Sequence, residues 1–186
     1  MNKQEFSAKI NWDEYGIGHV KAHVPIFEKE LEFELFSDHA KKPDISTKMF
    51  ATVEDVLNLP DGALEKIKDL LWEEAQFSFT VADYGCIPQE GETVKNAHFR
   101  EFGLHTKQDT FEKSYIKAVQ IQYESDVLDA RYAELKVESA TDNLISIIVK
   151  NGTIIDFDDD GAYLGAFEKN NQYAHTQRKK VLNGSI

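Results

Sequence analysis

The stretch "NLISIIVKNGTIIDF", residues 143–157, constrains the fold of this chain more than any other. Two strand-patterned runs flank Asn151-Gly152. That pair supplies both positive φ angles of a type I′ turn, which joins neighbouring antiparallel strands with a matching twist. A chain with such a hairpin must build an antiparallel sheet around it. Upstream, "SYIKAVQIQYES" alternates Ile116, Ala118 and Gln120 against Tyr115, Lys117, Val119, Ile121 and Tyr123. "ARYAELKVES" sets Ala133, Leu135 and Val137 against Tyr132 and Glu134. With "AYLGAF" read as the last strand, residues 115–168 form a meander.

The N-terminal third carries the same period. "FSAKINW" alternates Phe6, Ala8, Ile10 and Trp12, and a turn at Glu14–Gly16 leads into "GIGHVKAHVPIF". "ELEFELF" sets Leu31, Phe33 and Leu35 against Glu30, Glu32 and Glu34. Period two with charge on the opposite face is a half-buried antiparallel strand, so residues 6–36 read as strands. A polar loop, residues 37–47, precedes a helical segment over 52–82. There Thr52 and Asp55 resemble a capping box, Pro60 breaks the helix, and Asp61 caps a second one. Leu64, Ile67, Leu71 and Ala75 are the apolar stripe of that second helix. Residues 83–113, with Gly85, Pro88, Gly91 and Gly103, read as an irregular loop. The tail, 169–186, carries Arg178, Lys179 and Lys180 and reads as a short terminal helix or a loose end. The expected fold is one α+β domain over 1–186. Antiparallel sheets come from the N-terminal strands and the C-terminal meander, with the central helical segment packed on them.

Bulk properties bound the function. A chain of 186 residues is one domain by the usual prior and buries roughly 70% of its unfolded surface. Four prolines and ten glycines argue against a fibrous or disordered class. The net charge of −12 disfavours nucleic acid and anionic membranes and favours encounter with a basic protein. Cys86 is the single cysteine, so no intrachain disulfide can form. "MNKQEFSAKINW" has no apolar run, and "LISIIV" is far short of a membrane span. A cytoplasmic location is expected.

The densest acid is in "IIDFDDDGAYLGAF", residues 154–167. An EF-hand loop needs oxygen ligands at positions 1, 3, 5, 7, 9 and 12, with glycine at 6. Asp156, Asp158, Asp160 and Gly161 match the start, but Leu164 stands at the ninth place, and at the twelfth Phe167 displaces the glutamate to Glu168. Asp159-Asp160-Gly161 is better read as turn chemistry. Asp156, Asp158, Asp159 and Asp160 beside Tyr163 are then a candidate patch for a basic partner, and Glu30, Glu32 and Glu34 are a second. His19 and His23, four apart on a strand, are separated by about 13 Å, too far to share a metal. Cys86, Asp83, His98 and His105 lie in the 83–113 loop without a nucleophile motif, and no phosphate-binding glycine loop is present.

The element order carries a resemblance. "HVPIFEKELEFELF", then "TVEDVLNLPDGALEKIKDLLWEEA", then "ISIIVKNGTIIDFDDDGAYLGAF" resembles small uncharacterised bacterial domain families. Some of these are encoded beside polymorphic toxins and act as immunity proteins. The resemblance covers about two thirds of the chain and implies a protein that occludes a toxin. The expectation is therefore a non-enzymatic, protein-binding domain with no cofactor and no bound metal, whose partner is a basic protein such as a cognate toxin. The alternatives are a structural or regulatory domain, a small-ligand protein with the 83–113 loop as a lid, or a divalent-cation binder.

Overall fold

Asn151 and Gly152, at φ of +48° and +74°, turn β6 (Leu144–Lys150) back onto β7 (Thr153–Asp159), as the hairpin signal predicts. The structure is a computed structural model that describes residues 2–38, 43–123, 127–168 and 173–184. Parts of the 37–47 loop and of the 169–186 tail lie outside the described residues.

β4 (Tyr115–Gln122), β5 (Tyr132–Glu138), β6 and β7 form the antiparallel meander. β1 (Asn11–Trp12), β2 (Ile17–Val24) and β3 (Lys29–Phe36) pair antiparallel at the other side. The two halves are not separate sheets. β3 lies parallel to β4, with Glu32 to Phe36 beside Ala118 to Gln122. One seven-stranded sheet results, in the order β1 to β7. A parallel pair needs a long crossover. Here the crossover carries α2 (Thr47–Leu57), α3 (Ala63–Val81), α4 (Val94–Phe102) and α5 (Lys107–Lys113). The α+β architecture is the expected one, with the helices inserted between the two groups of strands.

Several boundaries differ from the sequence reading, each for a local reason. Only the end of "FSAKINW", Asn11–Trp12, is a strand, because residues 3–7 form the helix α1 (Lys3–Ser7). Its capping box has Glu5 N–H donating to Asn2 Oδ1 at 2.9 Å and Asn2 N–H donating to Glu5 Oε2 at 3.0 Å. Ser46, not Thr52, caps α2 and accepts from Met49 N–H at 3.0 Å. Thr52 is inside the helix and donates to the Lys48 carbonyl at 2.9 Å. α3 starts after Gly62 with no side-chain cap, so Asp61 has no such role. The 83–113 segment is not one loop. Thr93 and Thr106 cap α4 and α5, and Gly103 at φ +62° ends α4. "AYLGAF" turns into α6 (Leu164–Glu168) rather than a strand. The tail forms α7 (Tyr173–Leu182).

One face of the sheet takes the main core. Phe6 of α1, Met49, Val53 and Val56 of α2, and Ile67 and Leu71 of α3 pack on Val20, Phe33, Leu35, Val119, Leu135 and Ile147. A bulge between Ile116 and Ala118 lets Ile116, Val119 and Ile121 all reach that core. On the other face α6 covers only the end of the meander, with Leu164 and Phe167 packed on Tyr132 and Ile148. A third cluster joins Phe79 of α3 to Phe99 and Phe102 of α4 and to Tyr84. Among the described residues, no helix is long and apolar enough to cross a membrane.

Candidate functional site

The four aspartates of the acidic stretch have four different surroundings. Asp156, on edge strand β7, is only 3% exposed. Its carboxylate accepts from Arg178 Nη2 and faces His175 Nδ1 at 2.9 Å, both on α7. It anchors a helix and offers nothing at the surface. Asp158 is half-buried. Burial pushes its pKa up and the charges of Asp159 and Asp156 add to that, while the hydrogen bond from Asp159 N–H and the charge of Arg178 only partly offset them. Asp159 is exposed. Asp160 closes a salt bridge to Lys136 Nζ, which also donates to Ser146 Oγ at 2.7 Å and Glu134 Oε2 at 3.1 Å. Gly161, at φ +88°, makes the turn that the sequence signals. Beyond it, Tyr163 is 73% exposed, and its ring lies across Gly165, where a Cβ would stand 2.6 Å from it.

Glu168, one place late for a calcium loop, has other work. Its Oε2 accepts from Tyr132 Oη at 2.6 Å, and its Oε1 accepts from the N–H groups of Asp129 and Ala130 at 3.0 and 3.2 Å. It thereby pins α6 to the sheet. The Tyr132 hydroxyl is held well above its ordinary pKa by burial and by this carboxylate. Among the described residues, no group of three or more His, Cys, Asp and Glu is placed to hold a metal.

The glutamate row of β3 lies on the face away from the main core. His23, Lys21 and His19 stand directly opposite Glu30, Glu32 and Glu34. His19 Nδ1 is 2.9 Å from Glu32 Oε1, and Gln120 Nε2 donates to Glu34 Oε2 at 2.7 Å. The register runs from Glu32 through Ala118, Lys136 and Ser146 to Asp158. Directly paired residues share a face, so the two acidic groups look the same way. Four strand spacings, about 19 Å, separate them. The intervening position is the cation Lys136, so they are two patches and not one.

The residues of the 83–113 segment do not converge. His98 is fully buried between Phe79 and Tyr84, with ring centroids 5.2 and 5.3 Å away. Its Nε2 accepts from Tyr84 N–H at 3.2 Å, and its Nδ1 has no partner among the described residues. Asp83 Oδ1 is 3.6 Å from Nε2. His105 lies instead in an open hollow with Trp72, Lys95 and Arg100. Cys86 is half-buried and unpaired.

Sequence reading missed Glu74. It sits on the buried stripe of α3 with Ile67, Leu70, Leu71 and Ser78, and it is 2% exposed. Its Oε1 accepts three hydrogen bonds, from Thr141 Oγ1 at 2.7 Å, Ser78 Oγ at 2.9 Å and Asn143 Nδ2 at 2.9 Å. Among the described residues, its Oε2 finds no donor. A carboxylate at a stripe position of an amphipathic helix is the signal that marks it. Glu74, Asn143, Phe157, Asp158 and Arg178 border a cleft of about 300 Å³ between α3, α7 and the end of the β6–β7 hairpin. No protein-family model, no curated protein and no solved structure matches this chain.

Proposed function

We propose that this chain is a protein-binding domain that docks a basic partner on the turn between β7 and α6. Its sharpest form is an immunity-type inhibitor of a basic toxin. The observation that carries the reading is Tyr163, 73% exposed beside Asp159 and Asp160, at the end of an edge strand. Exposed aromatics are enriched among interface anchors, and acidic charge around them steers a partner of opposite sign. The net charge of −12 supports it, since a basic partner would be steered toward such a surface. Asp158, Asp159, Asp160 and Tyr163 form the primary contact set. Glu30, Glu32 and Glu34 form a separate, weaker one, because His19 and Gln120 already occupy part of it. Asp156 is left out, because Arg178 covers it.

The test is capture from a lysate of the source organism, comparing the wild-type chain with Tyr163→Ala and with Asp158→Asn/Asp159→Asn. A basic protein retained by the wild type, released by salt and lost with both variants supports the reading. The same protein retained equally by all three chains removes this turn as the docking site.

A further inference from the structure

We infer that the cleft between α3, α7 and the end of the β6–β7 hairpin binds an alkyl cation, an ammonium or guanidinium head on a short apolar stem. The first argument is an unmet hydrogen-bond demand. Glu74 is 2% exposed, and its Oε2 has no donor among the described residues. The nearby donors are already committed. Asn143 Nδ2 is shared among Glu74, Ser78, Tyr84 and Thr141. Arg178 donates to Glu73, Asp156 and the Phe157 carbonyl. Buried carboxylate oxygens are normally satisfied, so the missing donor is one a ligand would bring.

The second argument is charge. Asp158 and Asp159 border the same cleft, and Asp158 is already half-buried beside Asp159. Three carboxylates face one guanidinium that Glu73 and Asp156 have neutralised. Burial and the charges of Asp159 and Asp156 raise the pKa of Asp158, and a bound cation would offset the repulsion between these carboxylates.

The third argument is shape. Phe77, Ile145 and Phe157 supply apolar walls, and a volume of about 300 Å³ is at the small end of ligand cavities. A divalent ion is poorly served here, because among the described residues no three carboxylate, imidazole or thiol groups are placed to hold one. A four-carbon stem ending in a charged head fits both halves of the cleft. This inference goes beyond the partner reading and does not depend on it. The head can belong to a free molecule or to an arginine or lysine side chain.

The test uses the full chain with four probes: n-butylguanidinium, n-butylammonium, neutral n-butanol, and a capped Gly-Arg-Gly peptide. Amide chemical shifts and thermal melting are the readouts. The expected result is saturable shifts with either cation at the Asn143 side chain and at Asp158, Asp159 and Gln177, and none with butanol. Loss of one charge-assisted hydrogen bond in Glu74→Gln should weaken binding about tenfold. Asp158→Asn should weaken it in the same direction, and it carries the test if the Glu74 variant does not fold. A response to the peptide as well assigns a chain-borne cation, and a response to the free cations alone assigns a small molecule. Equal shifts with butanol, shifts elsewhere on the chain, or unaltered binding in the folded variants would overturn the inference.

Discussion

Arg178 spends its guanidinium inside the molecule. Nε donates to Glu73 Oε1 at 2.9 Å, Nη2 to Asp156, and Nη1 to the Phe157 carbonyl at 3.4 Å. Its carbon lies 3.8 Å from the centroid of the Phe157 ring. Removing one member of a buried ion pair strands the other. Arg178→Met should therefore cost about 3–5 kcal/mol in urea unfolding. A loss under about 1 kcal/mol would mean that α7 is not held by this arginine. The carboxylates nearby predict opposite pH trends. Burial works against ionised Glu73, but hydrogen bonds from Lys179 and Arg178 outweigh it and hold its pKa below the ordinary value. A folded-state pKa that is lowered adds stability above the unfolded pKa, and this is lost as pH falls through the folded one. Asp158 is shifted the other way. Its contribution is present below the unfolded pKa and is lost as pH rises through the raised folded value. Asp158→Asn should thus raise the melting temperature at about pH 7, with the gap closing toward about pH 4. A gap that widens on acidification would reverse the sign assigned to Asp158. In the sequence, Asp156 and Asp158 are two equal members of one acid run. Arg178, 22 positions away from Asp156, is what separates their roles.

Elements begin and end where single residues satisfy backbone groups. Thr106 Oγ1 accepts from Asp109 N–H at 3.1 Å, and Asp109 Oδ2 accepts from Thr106 N–H at 2.7 Å. Thr106→Ala should cost about 1 kcal/mol, measured by chemical denaturation, and should loosen amide protection in α5 first. The same "T-x-x-D" pattern at Thr52 and Asp55 is not a cap, because both residues lie inside α2, and Asp55 takes a two-pronged contact from Arg131 at 2.6 and 3.1 Å. Short polar helices such as α4 and α5 offer little periodicity, which is why 83–113 reads as a loop although its caps are visible. The hairpin turn is the opposite case, written entirely in two residues. Gly152→Ala, at φ +74° and with its new Cβ 3.4 Å from Asp55 Oδ1, should cost about 1–2 kcal/mol. An unchanged unfolding midpoint would show that the turn relaxes freely.

At the scale of the molecule, the parallel contact between β3 and β4 makes one sheet of two strand groups. The chain should therefore unfold in one transition. Trp12 reports the β1 edge, and Trp72 reports the cluster between α3 and α4. Single-tryptophan variants, Trp12→Phe and Trp72→Phe, should show fluorescence midpoints that coincide with far-UV circular dichroism. Separate midpoints would mean that the helical insert melts independently of the sheet.

Alternation in "ELEFELF" and Asn151-Gly152 by themselves determined that residues 30–36 are a strand and where one hairpin turns, because both signals act between neighbours along the chain. They also determined where the acid is dense. The tertiary structure alone decided that β3 meets β4 in parallel, that Arg178 buries Asp156, and that Glu168 holds Tyr132 rather than a metal. It also decided that Glu74 keeps one buried oxygen without a donor among the described residues. Each of these depends on which distant groups share a low-dielectric interior, where a charge must find a partner. Local patterns set the directions of side chains, and long-range packing sets what they meet.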